Sequence, residues 1–365
     1  MSSADGGEGN NIAIGIQAMN LTNADAADHN IAMGYQTGKA LAGDNNIALG
    51  QSAMNNASNA ADGVVAIGKF ALQGALSSAA DSTIGIGQQA LQSLTSGSQN
   101  TAIGYQTMKN ATTAEYNVAL GYNTLGGAAS TAHTGNSNTA IGAFALADMN
   151  DNGTQNTAVG NQTLEEVTNG KYNTGLGSYA GDNLTTGEGN TYLGYYALPS
   201  AADVDDEIVL KAGVDSFTGA GTETIRIGVD SDFITCDFGE NATWSHTSDR
   251  RIKKDIENSE LGLDFINDLR PVTYKKKAPS EYPQEFEQYN ADKTERNNPN
   301  KKHYGFIAQE VKEAMDKAGH SEFPVWKENK DGMQELGELE LITPLIKAIQ
   351  ELSAKVKELE AKLSK

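Results

Sequence analysis

One short segment, Thr247-Ser248-Asp249-Arg250-Arg251-Ile252-Lys253-Lys254, holds the residues best suited to covalent chemistry. Ser248 offers a hydroxyl, and Lys253 offers an amine five residues later. A serine attacks a carbonyl only when a base takes its proton, and a neutral lysine can be that base. Arg250, Arg251 and Lys254 crowd Lys253 with like charge, which favours the neutral amine. The hydroxyl of Ser248 reaches the preceding carbonyl through a five-membered ring, so Thr247–Ser248 is the bond expected to break. Cutting Ser248–Asp249 instead demands a strained four-membered ring or attack from a neighbouring chain. His246, two residues upstream on the same side of an extended strand, is the alternative base. On spacing alone, Ser248 and Lys253 read as surface residues.

Other candidates are weaker. Asp148-Met149-Asn150-Asp151-Asn152-Gly153 has the opening of a calcium loop, but Val159 stands where the closing glutamate belongs, so it reads as a turn rich in Asn and Asp. His303 reads as a structural side chain. Cys236, the single cysteine, reads as a small buried residue and excludes a disulfide framework. No metal and no cofactor are expected.

Several elements must position the Ser248 segment. After it, Ser259–Leu269 reads as an amphipathic helix stopped by Pro271, and Phe306–Ala318 as a second helix. Pro324–Leu336 reads as a hairpin turned at Asn329-Lys330-Asp331-Gly332. Thr343 and Pro344 read as the cap and first residue of a last helix. Its apolar residues Ile342, Leu345, Ile349, Leu352, Val356, Leu359 and Leu363 recur at intervals of 3 and 4, the seam of a coiled coil over 342–363. Before it, residues 201–247 read as a β-rich neck.

Residues 1–200 are a repeat. The unit is Asn-x-Ala-Ile-Gly-x-x-(Ala/Thr)-Leu, with its glycine at positions such as Gly87, Gly104, Gly121 and Gly142. Spacings of 16 to 21 residues leave room for two short strands and two turns, not for two helices. The segment around Ala102-Ile103 is one expected strand and Gln106-Thr107-Met108 the second. Stacked units of this size make a β-solenoid or β-roll. Ile225-Arg226-Ile227-Gly228 repeats the signature two periods after Gly194. Each unit brings few apolar residues, so three chains are expected to share the burial, a homotrimer.

Two resemblances follow from these residues. The Asn-x-Ala-Ile-Gly units over residues 10–200 resemble the head repeats of trimeric autotransporter adhesins. Residues 248–365 resemble the C-terminal intramolecular chaperone domain of phage endosialidases, tailspikes and tail fibres. Four motifs carry that likeness in order: Ser248–Ile256, Leu269-Arg270-Pro271-Val272-Thr273-Tyr274, Gly305–Val311 and Leu339–Leu352. The resemblance implies a mainly β, trimeric repeat region followed by an α+β chaperone ending in a coiled coil. It also implies a catalytic pair on Ser248 and Lys253, with Asp249 orienting the scissile region. The chaperone would trimerise, direct folding of the fibre and then release itself. The expected setting is a virion tail fibre assembled in the host cytoplasm. Its expected partners are a host cell-surface glycan or protein receptor and other tail proteins.

Charge narrows the alternatives. The chain carries −20 in all; residues 1–247 hold 24 acidic against 6 basic residues. Such a surface repels nucleic acid, and no run of 18 apolar residues suggests membrane insertion. A cellular adhesin would need a signal and an anchor that the sequence does not display. A glycan-degrading tailspike would need two converging carboxylates, and the acidic residues of the repeats read as scattered in turns.

Overall fold

The computed structural model describes residues 10–20, 27–56, 59–126, 132–150, 152–230, 232–239, 244–246, 248–296 and 298–364. The chain divides into two compact units, Met1–Ser248 and Asp249–Lys365.

The first unit is a β-solenoid. Up to Thr191–Leu193 each coil contributes one three-residue strand to the sheet, beginning with Ile12–Ile14 and Ile31–Met33, and consecutive strands pair in parallel without a register slip. In a typical step, Thr101, Ala102 and Ile103 face Val118, Ala119 and Leu120. The central residue of each strand points inward and the flanking two outward, the period-two alternation of β-structure. Ala102, Ala119, Ala140 and Ala158 are therefore buried. A row of larger side chains four residues after most of these glycines, among them Met108, Leu125, Leu146 and Leu164, fills the space opposite.

The repeated glycine is a steric requirement. Gly104 has φ +141°, and a Cβ there would lie 2.1 Å from the carbonyl oxygen of Gly121 in the next coil. Only a residue without Cβ lets successive coils approach so closely. The repeated asparagine makes a second ladder. The side-chain oxygens of Asn117, Asn138, Asn156 and Asn173 each accept the backbone N–H of the next residue in the row, at 2.8–3.0 Å. Their amides donate to a carbonyl of the next coil, as Asn138 does to Gly153 at 3.0 Å. All are fully buried, and leaving such a group unpaired costs about 1–3 kcal/mol. The row is interrupted at Val64 and Thr83, where the Thr83 hydroxyl is buried with no hydrogen-bond partner. It ends on Glu207, a buried carboxylate that accepts from the Tyr192 hydroxyl and from the Ser200 and Gly221 amides.

Two expectations change here. The segment Gln106-Thr107-Met108 is a turn, not a second strand, with φ of +55° at Gln106 and +49° at Met108. The Thr107 hydroxyl secures the turn by donating to the Gly121 carbonyl at 2.5 Å. The stacking also continues beyond residue 200: Ile208–Ala212 and Thr224–Val229 extend the parallel sheet in register. Ile225-Arg226-Ile227 is thus a true coil. Antiparallel strands Asp232–Asp237 and Trp244–His246 then close the sheet.

The second unit is a small α+β structure. Helix α1 (Leu263–Asp268) is shorter than its pattern suggested, because Gly262 stands just before it and supplies no side-chain cap. Glu351 takes that role from a distant element, accepting the Leu263 N–H at 2.8 Å. Helix α2 (Ala308–Lys317) buries Val311, Ala314 and Met315 against Leu261, Phe265, Val325 and Leu341. The expected hairpin is present, with Trp326–Glu328 antiparallel to Gln334–Leu336. Helix α3 (Ile342–Leu363) starts earlier than expected, on a 3-10 turn at Glu338–Leu341, so Thr343 is not its cap. Pro344 sits in the first turn, where a missing N–H leaves no helical bond unmade.

Candidate functional site

The Ser248 segment leaves the closing strand of the solenoid. His246 ends that strand, opposite Ile234. Thr247 lies outside the described residues. Ser248 is exposed, and Asp249 caps a 3-10 turn at Arg250–Ile252. The Asp249 carboxylate accepts the Arg251 N–H at 2.8 Å and forms a two-point ion pair with its guanidinium, Nη2 at 2.7 Å and Nε at 3.0 Å. That pairing holds the Asp249 carboxyl below its ordinary range. It also offsets one of the charges that the sequence placed around Lys253. The turn closes as the Lys253 N–H donates to the Arg250 carbonyl at 3.2 Å. Lys253 is exposed, and so are Ile252 and Ile256, two large apolar side chains at 67% and 57%. Ser248 is the last residue of the first unit and Lys253 belongs to the second.

The motifs downstream form one framework. Val272–Tyr274 pairs antiparallel with His303–Gly305, which joins the Leu-Arg-Pro-Val segment to the Gly-Phe-Ile-Ala-Gln-Glu segment. Arg270 and Glu310, one from each motif, make a two-point ion pair that lowers the Glu310 carboxyl. Lys317 at the end of α2 reaches Asp268 at the end of α1, 2.7 Å away. His303 stacks on Tyr274, with ring centroids 5.6 Å apart.

Residues 248–320 match the family described as chaperone of endosialidase. This stretch is a chaperone-of-endosialidase domain. The match begins at Ser248, and the second compact unit begins one residue later. A β-solenoid followed by this chaperone domain supports a tail-fibre-like protein. No curated protein and no solved structure matches the chain.

The helix that follows the matched stretch leaves its apolar seam uncovered. Ile342, Leu345, Ile349, Leu352, Val356 and Leu359 are 45–59% exposed, although their spacing is that of a buried stripe. The solenoid has an equivalent row. The residue before each coil glycine is apolar throughout: Ile103, Leu120, Ile141, Leu176 and Leu193 are 36–47% exposed and stack coil upon coil. Contiguous apolar surface of this kind marks an interaction face.

The coils also assemble a group that sequence inspection did not reveal. Asp182 meets Glu165 and Glu166, and burial plus their charges push its carboxyl up to about 6. Alongside are three tyrosines: Tyr179 stacks on Tyr196 with centroids 4.5 Å apart, and Tyr195 meets Tyr196 edge-on at 4.6 Å. Glu165 and Asp182 are 17 residues apart, one coil period, and so are Tyr179 and Tyr196; that periodicity was the available signal. The calcium-loop segment contains Asp151, outside the described residues. Among the described residues no cluster of side chains suited to a metal ion occurs, and no helix is long and apolar enough to cross a membrane. Cys236 is buried.

Proposed function

We propose that the protein is a homotrimeric phage tail fibre or spike, borne on the virion and binding a host-cell receptor, and that its chaperone domain directs trimerisation and then cuts itself free beside Ser248. The observation that carries this reading is the boundary. Ser248 is where the solenoid unit ends, and it is also where the chaperone family match begins. A domain that must be discarded after folding is most simply discarded at such a junction.

The chemistry assigned to the junction needs only this chain. The Ser248 hydroxyl attacks the Thr247 carbonyl while Lys253 takes its proton. The C–N bond breaks, the Ser248 amine leaves with a proton from Lys253, and the resulting ester is hydrolysed by water. The exposed Ile252 and Ile256 beside the pair fit a site completed by neighbouring chains. Packing there would desolvate Lys253 and favour its neutral form, coupling the cut to assembly. The stripe on the solenoid and the seam on α3 support three chains wrapping on both units. Light scattering on the uncut Ser248→Ala chain is expected to give three times the chain mass; a monomer at micromolar concentration would falsify the trimer.

A second reading, a glycan-degrading tailspike, draws support from Asp182, Glu165 and Glu166 beside the tyrosines. A raised carboxyl with further carboxyls beside it is the pairing that glycoside hydrolysis uses. Release of reducing ends from host polysaccharide, lost in Asp182→Asn, would favour it.

A further inference from the structure

A cationic cavity lies in the second unit and has no part in the chemistry above. Tyr274 and His303 pair across the two-stranded ladder, so Lys275–Lys277 leave and Lys301-Lys302 arrive at the same end of it. Arg296 fixes the intervening chain over that end, donating to the Lys277 carbonyl at 2.8 Å and to the Tyr282 hydroxyl at 2.5 Å. The result is a cavity of about 290 Å³ lined by Lys276, Lys293, Arg296, Lys301, Asn298 and His303. None of the residues lining it is acidic. His303 registers the field inside: burial and the charges of Lys301, Lys276 and Arg296 hold its imidazole below the ordinary range.

Gathering four cations around one small space opposes folding unless something offsets the repulsion. In a chain with 47 acidic residues, none has been placed in this lining. An anion from solution would balance the charge. Lysine ammonium groups suit oxyanions as mobile point charges, and Asn298 adds a neutral donor.

We propose that this cavity binds an oxyanion of the phosphate type, held by Lys276, Lys293, Arg296 and Lys301, one per chain. Free phosphate, a nucleotide and a nucleic acid backbone share this chemistry; the small volume, about 290 Å³, favours the small ligands over a polymer.

The test is calorimetric titration of the full chain at fixed ionic strength with inorganic phosphate, with ATP and with a single-stranded oligonucleotide. Phosphate or ATP should give one saturable site per chain, weakened at least fivefold in the double variant Lys276→Gln/Lys301→Gln. Thermal melts guard against misfolding: without phosphate the variant should melt no lower than the wild type, because it loses only like-charge repulsion. An absence of saturable heat with phosphate and ATP overturns the proposal. So does binding of the oligonucleotide alone, unchanged affinity in the double variant, or a variant that melts lower without any anion present.

Discussion

The two units solve the same problem differently. Each solenoid coil carries little apolar bulk, yet most of its buried polar groups are paired with the coils above and below. Asparagine, threonine and glycine do that work in repeated rows, so stability accumulates by stacking. The chaperone unit has no such ladder. Its buried cluster is a handful of residues around Phe265 and Met315, and its longest helix keeps its apolar seam outside. A stacked unit can add coils indefinitely but has trouble starting, because the first coil has no neighbour to pair with. A small unit with an exposed seam can associate early. The difference suggests a division of labour, nucleation by the chaperone and propagation by the solenoid.

That contrast can be broken at either end. The largest effect is expected inside the solenoid. Gly104→Ala would place a methyl 2.1 Å from the Gly121 oxygen in a left-handed backbone, so two coils must separate. A loss of about 3 kcal/mol or more follows. Soluble yield should fall and the melting temperature should drop.

Next comes the seam. Leu352→Asp puts a charge where three helices are proposed to meet, at a cost of several kcal/mol of association. It is expected to lower the soluble yield of the whole fibre, although Leu352 is 51% exposed in the single chain. If residues 1–247 expressed alone gave a soluble trimer, nucleation by the chaperone would be wrong.

The smallest effect sharpens the solenoid account. The Asp182 carboxyl is raised to about 6 from 3.8. The folded form therefore holds its proton more tightly than the unfolded chain does. Stability from this group is full below about pH 4, falls as pH rises towards 6, and is flat above. Asp182→Asn should remove that slope and raise stability near pH 7 by about 1 kcal/mol, after allowance for solvent screening. Melting curves between pH 4 and 8 measure it.

Much of this was legible in the sequence, for identifiable reasons. The glycine row and the strand at Ala102-Ile103 were readable because a coil crossing demands glycine and an inward alanine at fixed spacing. The turn at Gln106 and Met108 was misread as a strand because its left-handed backbone is imposed by stacking, not by glycine. The early start of α3 was hidden because the 3-10 turn at Glu338–Leu341 leads straight into it. The short α1 was hidden because its cap comes from Glu351, 88 residues away. The acidic group at Asp182 shows only when the 17-residue coil period is applied to charged residues, which bring no apolar pattern with them. The Ser248–Lys253 pair remains a proposal drawn from the motif, and the structure adds the Asp249–Arg251 turn between them.

The central claim is that the chain cuts itself beside Ser248. Mass measurement on the purified wild type, with Ser248→Ala and Lys253→Ala alongside, tests it directly. The wild type should give two fragments, the smaller beginning at Ser248, while each variant stays at full length and still trimerises. A wild-type chain that remains whole after folding, or a Lys253→Ala chain that cuts at the wild-type rate, would contradict the account; in the latter case His246 becomes the base to test.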